Sequence, residues 1–416
     1  MTDLLASQSA THPALALTGE AQAEMHDLYK HLHANPELSM QEHNTAELIE
    51  QRLAGLGIEH FRCGGTGVVG ILRNGPGPVV GFRADTDGLP IQEGTGLDYA
   101  STATGTLQDG TVVPVMHGCG HDTHVAVLLT VAGLFAEARI AWSGTLVLIF
   151  QPGEETGAGA AAMVADGLWE RAPRPEIIFG QHVMPGPAGT VSLSVGSAMA
   201  MADSLKVTVH GRQSHGSQPQ DSIDPIVLGA HMVVRLQTVV ARELDPRKSA
   251  VVTVGTFHSG LKENIIPATA EFTLNIRTFD DDVRAKVLAS VRRIIAAEAT
   301  ASGAPEPQVE GLYTFPACYN DPDEAKALAA VFGDTLGEDA VSIQPALMGS
   351  EDFGHLGAAI GVPSVFWMFG GYPAALMDGP DPVPMNHSPF FGPVIEPTLS
   401  TGVNAAVAAL LSRLAS

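Results

Sequence analysis

Between Asp203 and Phe315 the sequence changes its hydrophobic rhythm, and that change constrains the fold more than any other feature of the chain. Alternating apolar residues predict a strand over Leu205 to Val209, a period near 3.6 predicts a helix over Pro225 to Arg242, and two strands follow, Ala250 to Phe257 and Glu271 to Thr278. A helix over Asp282 to Ala297 and a strand over Val309 to Thr314 complete the order β-α-β-β-α-β, that of a ferredoxin-like module. On either side the pattern is a different one, of α/β type. Ahead of it lie helices at Glu24 to Leu32, Gln41 to Leu56 and Val125 to Ala136, and strands at Val68 to Leu72, Val79 to Phe82, Thr145 to Phe150 and Ile177 to Phe179. Beyond it the same pattern resumes with a helix over Glu324 to Leu336, a strand over Ser364 to Met368 and a helix over Leu399 to Leu414. A chain of 416 residues exceeds one ordinary core. The expectation is an α/β protein of two domains, with 203–315 inserted between the two parts, 1–202 and 316–416, of the other. Within the insert, Leu205-Lys206-Val207-Thr208-Val209 alternates as a half-exposed edge strand would.

The α/β part concentrates chemistry where its strands end, which is where ligands bind in open α/β sheets. Residues 116–124 read MHGCGHDTH, one thiol, three imidazoles and a carboxylate. Gly120 lets Cys119 and His121 turn toward one cation, so the two read as a ligand pair. The other reading makes Cys119 a small buried hydrophobe and the histidines helix-start residues. The strand ending at Phe82 runs into Arg83-Ala84-Asp85-Thr86-Asp87, whose alternating carboxylates serve a site or cap a turn. Gln151-Pro152-Gly153-Glu154-Glu155 follows another strand; adjacent carboxylates on a turn diverge, so one can hold a cation while the other faces its water, or both can complement a helix N-terminus. His182 follows the strand Ile177 to Phe179 as a further candidate at a strand end, while His215, Asn264 and His387 lie in loops, where polar residues are often only solvated.

Charge narrows the partners. Against 22 Lys and Arg stand 45 Asp and Glu, a formal charge of -23, which removes the electrostatic footprint of a nucleic-acid or acidic-membrane binder. The partners expected are small molecules or the chain itself. Cys63, Cys119 and Cys318, odd in number and widely spaced, form no disulfide framework. The opening stretch MTDLLASQSATHPALA has no basic n-region, and no apolar run reaches the roughly 20 residues of a membrane span. A cytoplasmic protein is expected.

Taken together, HANPELS at 33–39, RADTDGLPIQE, MHGCGHDTH, FQPGEE, HGSQP, ENIIP and GSEDF resemble, in their order, the aminoacylase and carboxypeptidase family of metallopeptidases. The resemblance is to its amidohydrolase branch, which includes hippurate, N-acyl-amino-acid and auxin-conjugate hydrolases, and it covers nearly the whole chain. It implies a mixed-sheet α/β catalytic domain with the ferredoxin-like insert as lid and dimerisation domain. It implies two divalent metal ions per subunit, Zn, Mn, Co or Ni, held by Cys119, His121, Glu155, His182 and His387. Glu154 would be the general base, Asp87 the aspartate that orients a ligand, and His215 a histidine that reaches the active site of a neighbouring subunit. Asn264 and Arg277 would bind the substrate's carboxylate. Three positions depart from the branch's pattern: Gly88 and Gly118 stand where Ala is commoner, which should loosen the backbone, and Gln220 stands where a His is frequent.

The implied function is metal-dependent hydrolysis of the amide bond of N-acyl amino acids, with a dipeptidase or carboxypeptidase as the alternative. Two other classes compete: a metal-free amidase with Cys119 as nucleophile and His121 as its base, and a non-catalytic binding protein on the same scaffold. Chelation separates the first from a metalloenzyme, and the presence of Glu154, useless for metal binding alone, argues against the second.

Overall fold

Apolar strands flanked by turn glycines assemble into an eight-stranded mixed sheet in the computed structural model, which describes residues 12–415. Its order is Glu59–Cys63, Gly67–Asn74, Gly144–Gln151, Val79–Asp85, Ile177–Pro187, Ser364–Tyr372, Val191–Leu193 and Val341–Ile343. The central four strands run parallel, as strands connected through helices do. The chain divides into two compact units. One is the chain up to Ala198 with Cys318–Ala346 and the chain from Asp352 on; the other is Met199–Ala317 with Leu347–Glu351. Relative to boundaries at 203 and 315, the second unit also takes in its first strand's opening residues, from Met201, and the Leu347–Glu351 segment.

In the first unit the His121–Glu137 helix is apolar on nearly every face, which suits a helix covered by a sheet on one side and by the Gly19–Ala34 and Thr398–Leu414 helices on the other. Trp367, fully buried, is packed by the rings of Phe82, Phe179 and Phe332 at centroid distances of 5.7, 6.1 and 5.1 Å. Parallel pairing puts Asp85 level with Gln151, and Arg83 with Gly180, so the carboxyl ends of three strands meet at one end of the sheet. His182 does not stand at a strand end as expected: its strand continues to Pro187, because pairing with Ser364–Tyr372 carries it beyond the last residue of Val79–Asp85. The Glu59–Cys63 strand was not legible, since its polar residues Glu59, His60 and Arg62 hide its period.

The second unit is the expected ferredoxin-like module. Its four strands run in the order Ala250–Ser259, Thr269–Thr278, Met201–His210, Gln308–Phe315, and the helices Pro225–Thr238 and Asp281–Ala301 pack on one face over Leu205, Val207, Phe272, Leu274 and Ile276. Asp224 and Asp280 cap those helices, each accepting from two backbone N–H groups of the first turn. Here the edge-strand expectation fails. Residues Leu205 to Val209 lie in an interior strand bonded on both sides, and their alternation records one face on the helices and one left open. The edges are Ala250–Ser259 and Gln308–Phe315. His215 is not in a loop either: Ser214–His215 pairs with Ile265–Ile266, and Gly216 N–H donates to Asn264 O at 2.8 Å.

Among the described residues no helix is long and apolar enough to cross a membrane. The opening residues 1–11, on which the absence of a basic n-region was read, lie outside the described residues.

Candidate metal centre

Gly120 adopts φ +84°, and a Cβ there would meet the Val183 side chain at 2.4 Å, so the turn that separates Cys119 from His121 requires glycine. Cys119 ends the turn and His121 opens the helix, both buried. His121 Nδ1 faces Asp87 O at 2.9 Å and Asp87 Oδ1 at 3.2 Å. That leaves Nε2 buried without a hydrogen-bond partner, 3.5 Å from Asp85 Oδ2 and 3.9 Å from Glu155 Oε1. Glu155 Oε1 is likewise buried without a hydrogen bond, 3.3 Å from His387 Nε2. His182 Nδ1 donates to Val183 O at 2.7 Å, and its Nε2 stands 3.4 Å from Cys119 Sγ.

Ligand atoms of Cys119, Glu155 and His387 lie within 4.8 Å of one another, as do those of His121, Glu154 and Glu155. These two groups hold four of the five residues of the expected ligand set, with Glu155 shared by both and Glu154 beside it; His182 adjoins them through Cys119 Sγ. Orphaned nitrogen and oxygen atoms that converge without bonding one another fit a divalent cation, as does the mixture of imidazole, carboxylate and thiol donors. The electrostatics agree. Burial, then Glu155 and Glu154, pushes the Cys119 thiol well above its usual range, while burial, then the charges of His124 and His121, holds the His182 imidazole well below its own. Burial would lower His121, but Asp85, Asp87 and Glu155 outweigh it and carry it up to about 10, the mark of an anionic pocket.

A third grouping, Asp85, His121, His124 and His182, joins His182 to His121, and within it Asp85 and His124 act as supports. His124 is spent: Nδ1 bonds Asp85 Oδ1, and Nε2 accepts from Val183 N–H at 2.8 Å, which fixes the neutral tautomer. Arg83 Nη1 donates to Asp85 Oδ2 at 2.6 Å and its Nε to Gln151 Oε1 at 2.9 Å. Gln151 Nε2 in turn donates to Asp352 Oδ1 at 2.6 Å, and Asp352 Oδ2 accepts from Ala160 N–H at 2.9 Å. This buried network gives the GSEDF motif its physical meaning: Asp352 ties the ends of two central strands to the Gly159–Ala165 helix.

Sequence reasoning missed the contributions of four residues. Ser39 donates to Asp87 Oδ2 at 2.6 Å, so HANPELS braces RADTDG. Gly88 belongs to the same brace, since its N–H donates to Glu37 O at 2.7 Å and a Cβ would come within 3.1 Å of Pro36; it is pinned rather than loosened. Asn386 donates to Cys119 O and Val183 O, each at 3.2 Å, and His387 N–H donates to Gly118 O at 2.8 Å, which docks the Pro-rich loop on the ligand turn. Glu42, wholly buried, accepts from Gly153 N–H at 2.8 Å. Of these, Ser39 and Gly88 lay inside recognised motifs.

In the second unit, His215 Nδ1 accepts from Ser217 N–H at 3.1 Å, beside Asn264. Arg277 donates through Nη1 to Met348 O at 2.7 Å and Ser350 Oγ at 3.1 Å, and through Nε to Asn275 Oδ1 at 3.0 Å.

Comparison with known proteins agrees with this site. A family model described as peptidase family M20/M25/M40 matches residues 81–410. A hippurate hydrolase from Campylobacter jejuni is 37% identical over 339 residues, 80% of this chain and 85% of its own length. Thermostable carboxypeptidase 2 from Saccharolobus solfataricus is 37% identical over 328 residues, 77% of this chain and 80% of its own. A solved Bacillus subtilis protein, a dinuclear metal binding peptidase from the M20 family, superposes with a TM-score of 0.74 at 28% identity and covers 95% of this chain and 99% of that one. With family motifs, fold and a metal-binding constellation all in register, the chain belongs to peptidase family M20/M25/M40 and is a hydrolase of that family.

Proposed function

We propose that the protein hydrolyses the amide bond of N-acyl amino acids, with Glu154 as general base, in a centre of two divalent ions held by Cys119, His121, Glu155, His182 and His387. The observation that carries this reading is the adjacency of Glu154 and Glu155: one carboxylate closes both ligand groups, and the other, buried at 5% exposure, stands within reach of the same centre. When bound, the ions supply Lewis acidity toward the amide carbonyl and lower the pKa of water. Glu154 accepts the attacking water's proton and returns it to the nitrogen of the leaving amine. Asp87 keeps the His121 ring in orientation through Nδ1. His215, whose Nδ1 accepts from Ser217 N–H, stabilises the oxyanion by a hydrogen bond from Nε2. Asn264 and Arg277 hold the substrate's carboxylate.

A metal-free cysteine mechanism is disfavoured by the Cys119 thiol, which burial and neighbouring carboxylates keep protonated. The metals we assign are Zn, Mn, Co or Ni, and the compartment is the cytoplasm. The assembly is a homodimer through the insert. Its support is the open edge Ala250–Ser259, with Val251 and Phe257 each 36% exposed, beside helix residues Val227 and Val234, 54% and 71% exposed. A dipeptidase or carboxypeptidase is the second reading, favoured by the 37% identity to carboxypeptidase 2.

The test is Glu154→Gln, measured after reconstitution with each metal against a panel of N-acyl amino acids and dipeptides. Turnover should fall about 10²-fold to 10⁴-fold with metal content unchanged. A fully active variant rejects the assignment of the base, and a panel cleaved only at dipeptides moves the substrate class to the second reading.

A further inference from the structure

We propose that Glu42 is a positioning residue for Glu154, which it holds by fixing the peptide group on one side of that carboxylate while Asp87 fixes the other. The inference rests on the reading of Glu154 as general base. The two contacts bracket the Gly153–Glu154 pair: Glu42 Oε1 accepts from Gly153 N–H at 2.8 Å, and Asp87 Oδ2 accepts from Glu155 N–H at 3.0 Å. Between them the Glu154 carbonyl accepts from Gly157 N–H at 2.7 Å, closing a short turn whose first glycine, Gly153, has φ +57°. The backbone that aims the Glu154 side chain is therefore tethered on both sides to buried carboxylates.

The Glu42 side chain does nothing for its own helix, although its carbonyl accepts from Ala46 N–H at 3.0 Å. Glu42 occupies the N-cap position of His43–Gly55, yet its side chain makes no capping bond; Glu37 takes that role, accepting from Asn44 N–H at 3.0 Å and Thr45 N–H at 2.8 Å. Glu42 turns inward instead. Its Oε1 also accepts from Met40 N–H at 2.9 Å and its Oε2 from the Thr66 hydroxyl, while burial and then the nearby Asp87 charge push its pKa up to about 7. Met40 carries strain in the same clasp. Only Met40 and His387 have positive φ among the described non-glycine residues, and His387 is one of the five assigned ligands. At φ +62° Met40 presses its side chain under the loop, where a Cβ on Gly153 would meet Met40 Sδ at 2.5 Å. Two turns with unfavourable backbone, locked to each other by one carboxylate, make a rigid seat for the base rather than a general element of the core.

The experiment compares Glu42→Ala, Glu42→Asp, Glu42→Gln, Glu154→Gln and the double variant Glu42→Ala/Glu154→Gln in the metal-loaded enzyme on an N-acyl amino acid. A displaced general base costs about 10²-fold in rate. Glu42→Ala should lose that much kcat, with KM and metal content within about twofold of wild type. Glu42→Asp withdraws the carboxylate from Gly153 without removing its charge and should lose at least about tenfold, which keeps the test alive if the alanine variant does not fold. Glu42→Gln, whose oxygen can still accept both N–H groups while its amide donates to Thr66, should recover kcat to within about threefold. The double variant should be no slower than Glu154→Gln alone, because Glu42 acts through Glu154. Wild-type kcat in Glu42→Asp, or losses that multiply in the double variant, overturn the proposal. If Glu154→Gln is itself active, the reading of the base has failed, and the positioning proposal falls with it; if Glu154→Gln is dead while Glu42→Ala and Glu42→Asp turn over normally, the positioning alone has failed.

Discussion

Asn386 donates its side-chain amide to the Cys119 carbonyl oxygen at 3.2 Å, and the same nitrogen stands 3.8 Å from the Cys119 sulfur. The residue before one assigned ligand thus holds the backbone of another. Asn386→Ala should weaken metal binding about 10-fold to 100-fold, the usual cost of losing a group that orients a ligand. Competition with a chelator, read by metal analysis after desalting, measures it. Excess metal should restore turnover, and unchanged metal retention would reject the role.

Arg83 is fully buried between Asp85 and Asp352. Arg83→Met would leave buried carboxylates without their cation, a change that costs about 3–5 kcal/mol. Urea unfolding of the metal-free protein checks this, and a loss below about 1 kcal/mol would mean that His124 and Gln151 suffice.

His33 bridges Asp122 Oδ2 at 2.7 Å and Glu93 Oε1 at 3.0 Å. Burial lowers its pKa, but the two carboxylates outweigh burial and raise it to about 10. A folded pKa above the unfolded value near 6.5 contributes stability that is complete below about pH 6.5 and is lost as pH rises toward 10. The stability advantage of the wild type over His33→Gln should therefore shrink between those limits, as followed by thermal unfolding across the range. A constant gap would show that the ring stays neutral.

If His215 serves a neighbouring subunit, mixing His215→Ala chains with Glu154→Gln chains should restore activity as subunits exchange, since each heterodimer contains one intact site. Exchange demonstrated by labelled chains without recovered turnover would exclude delivery in trans.

The periodic elements were legible because one buried face imposes one period, and the ferredoxin-like order could be read strand by strand from Leu205 to Thr314. Alternation does not distinguish an edge strand from an interior strand with one open face, and so the position of Met201–His210 was misjudged. The residues alone offered Cys119 and His121 as a pair and Glu154, Glu155 and His182 as candidates at strand ends, and the full set of five came only from the family resemblance. Of their supports only Asp87 was named the same way. Asn386, Glu42 and Asp352 act through contacts with residues 267, 111 and 192 positions away, and no local spacing records such distances.

The Ser364–Tyr372 strand lies between Ile177–Pro187 and Val191–Leu193, deep inside the larger sheet although it comes late in the chain. On the ribosome, all four strands of the insert have therefore been made while the strand bearing His182 still has one bare edge. Domains fold as units during synthesis, and contacts of long sequence separation form slowly. For the time needed to make residues 316–372 the nascent chain would carry the four insert strands and a larger sheet still lacking one or two of its eight, and a ribosome stalled in that interval would hold an exposed parallel edge open to mispairing.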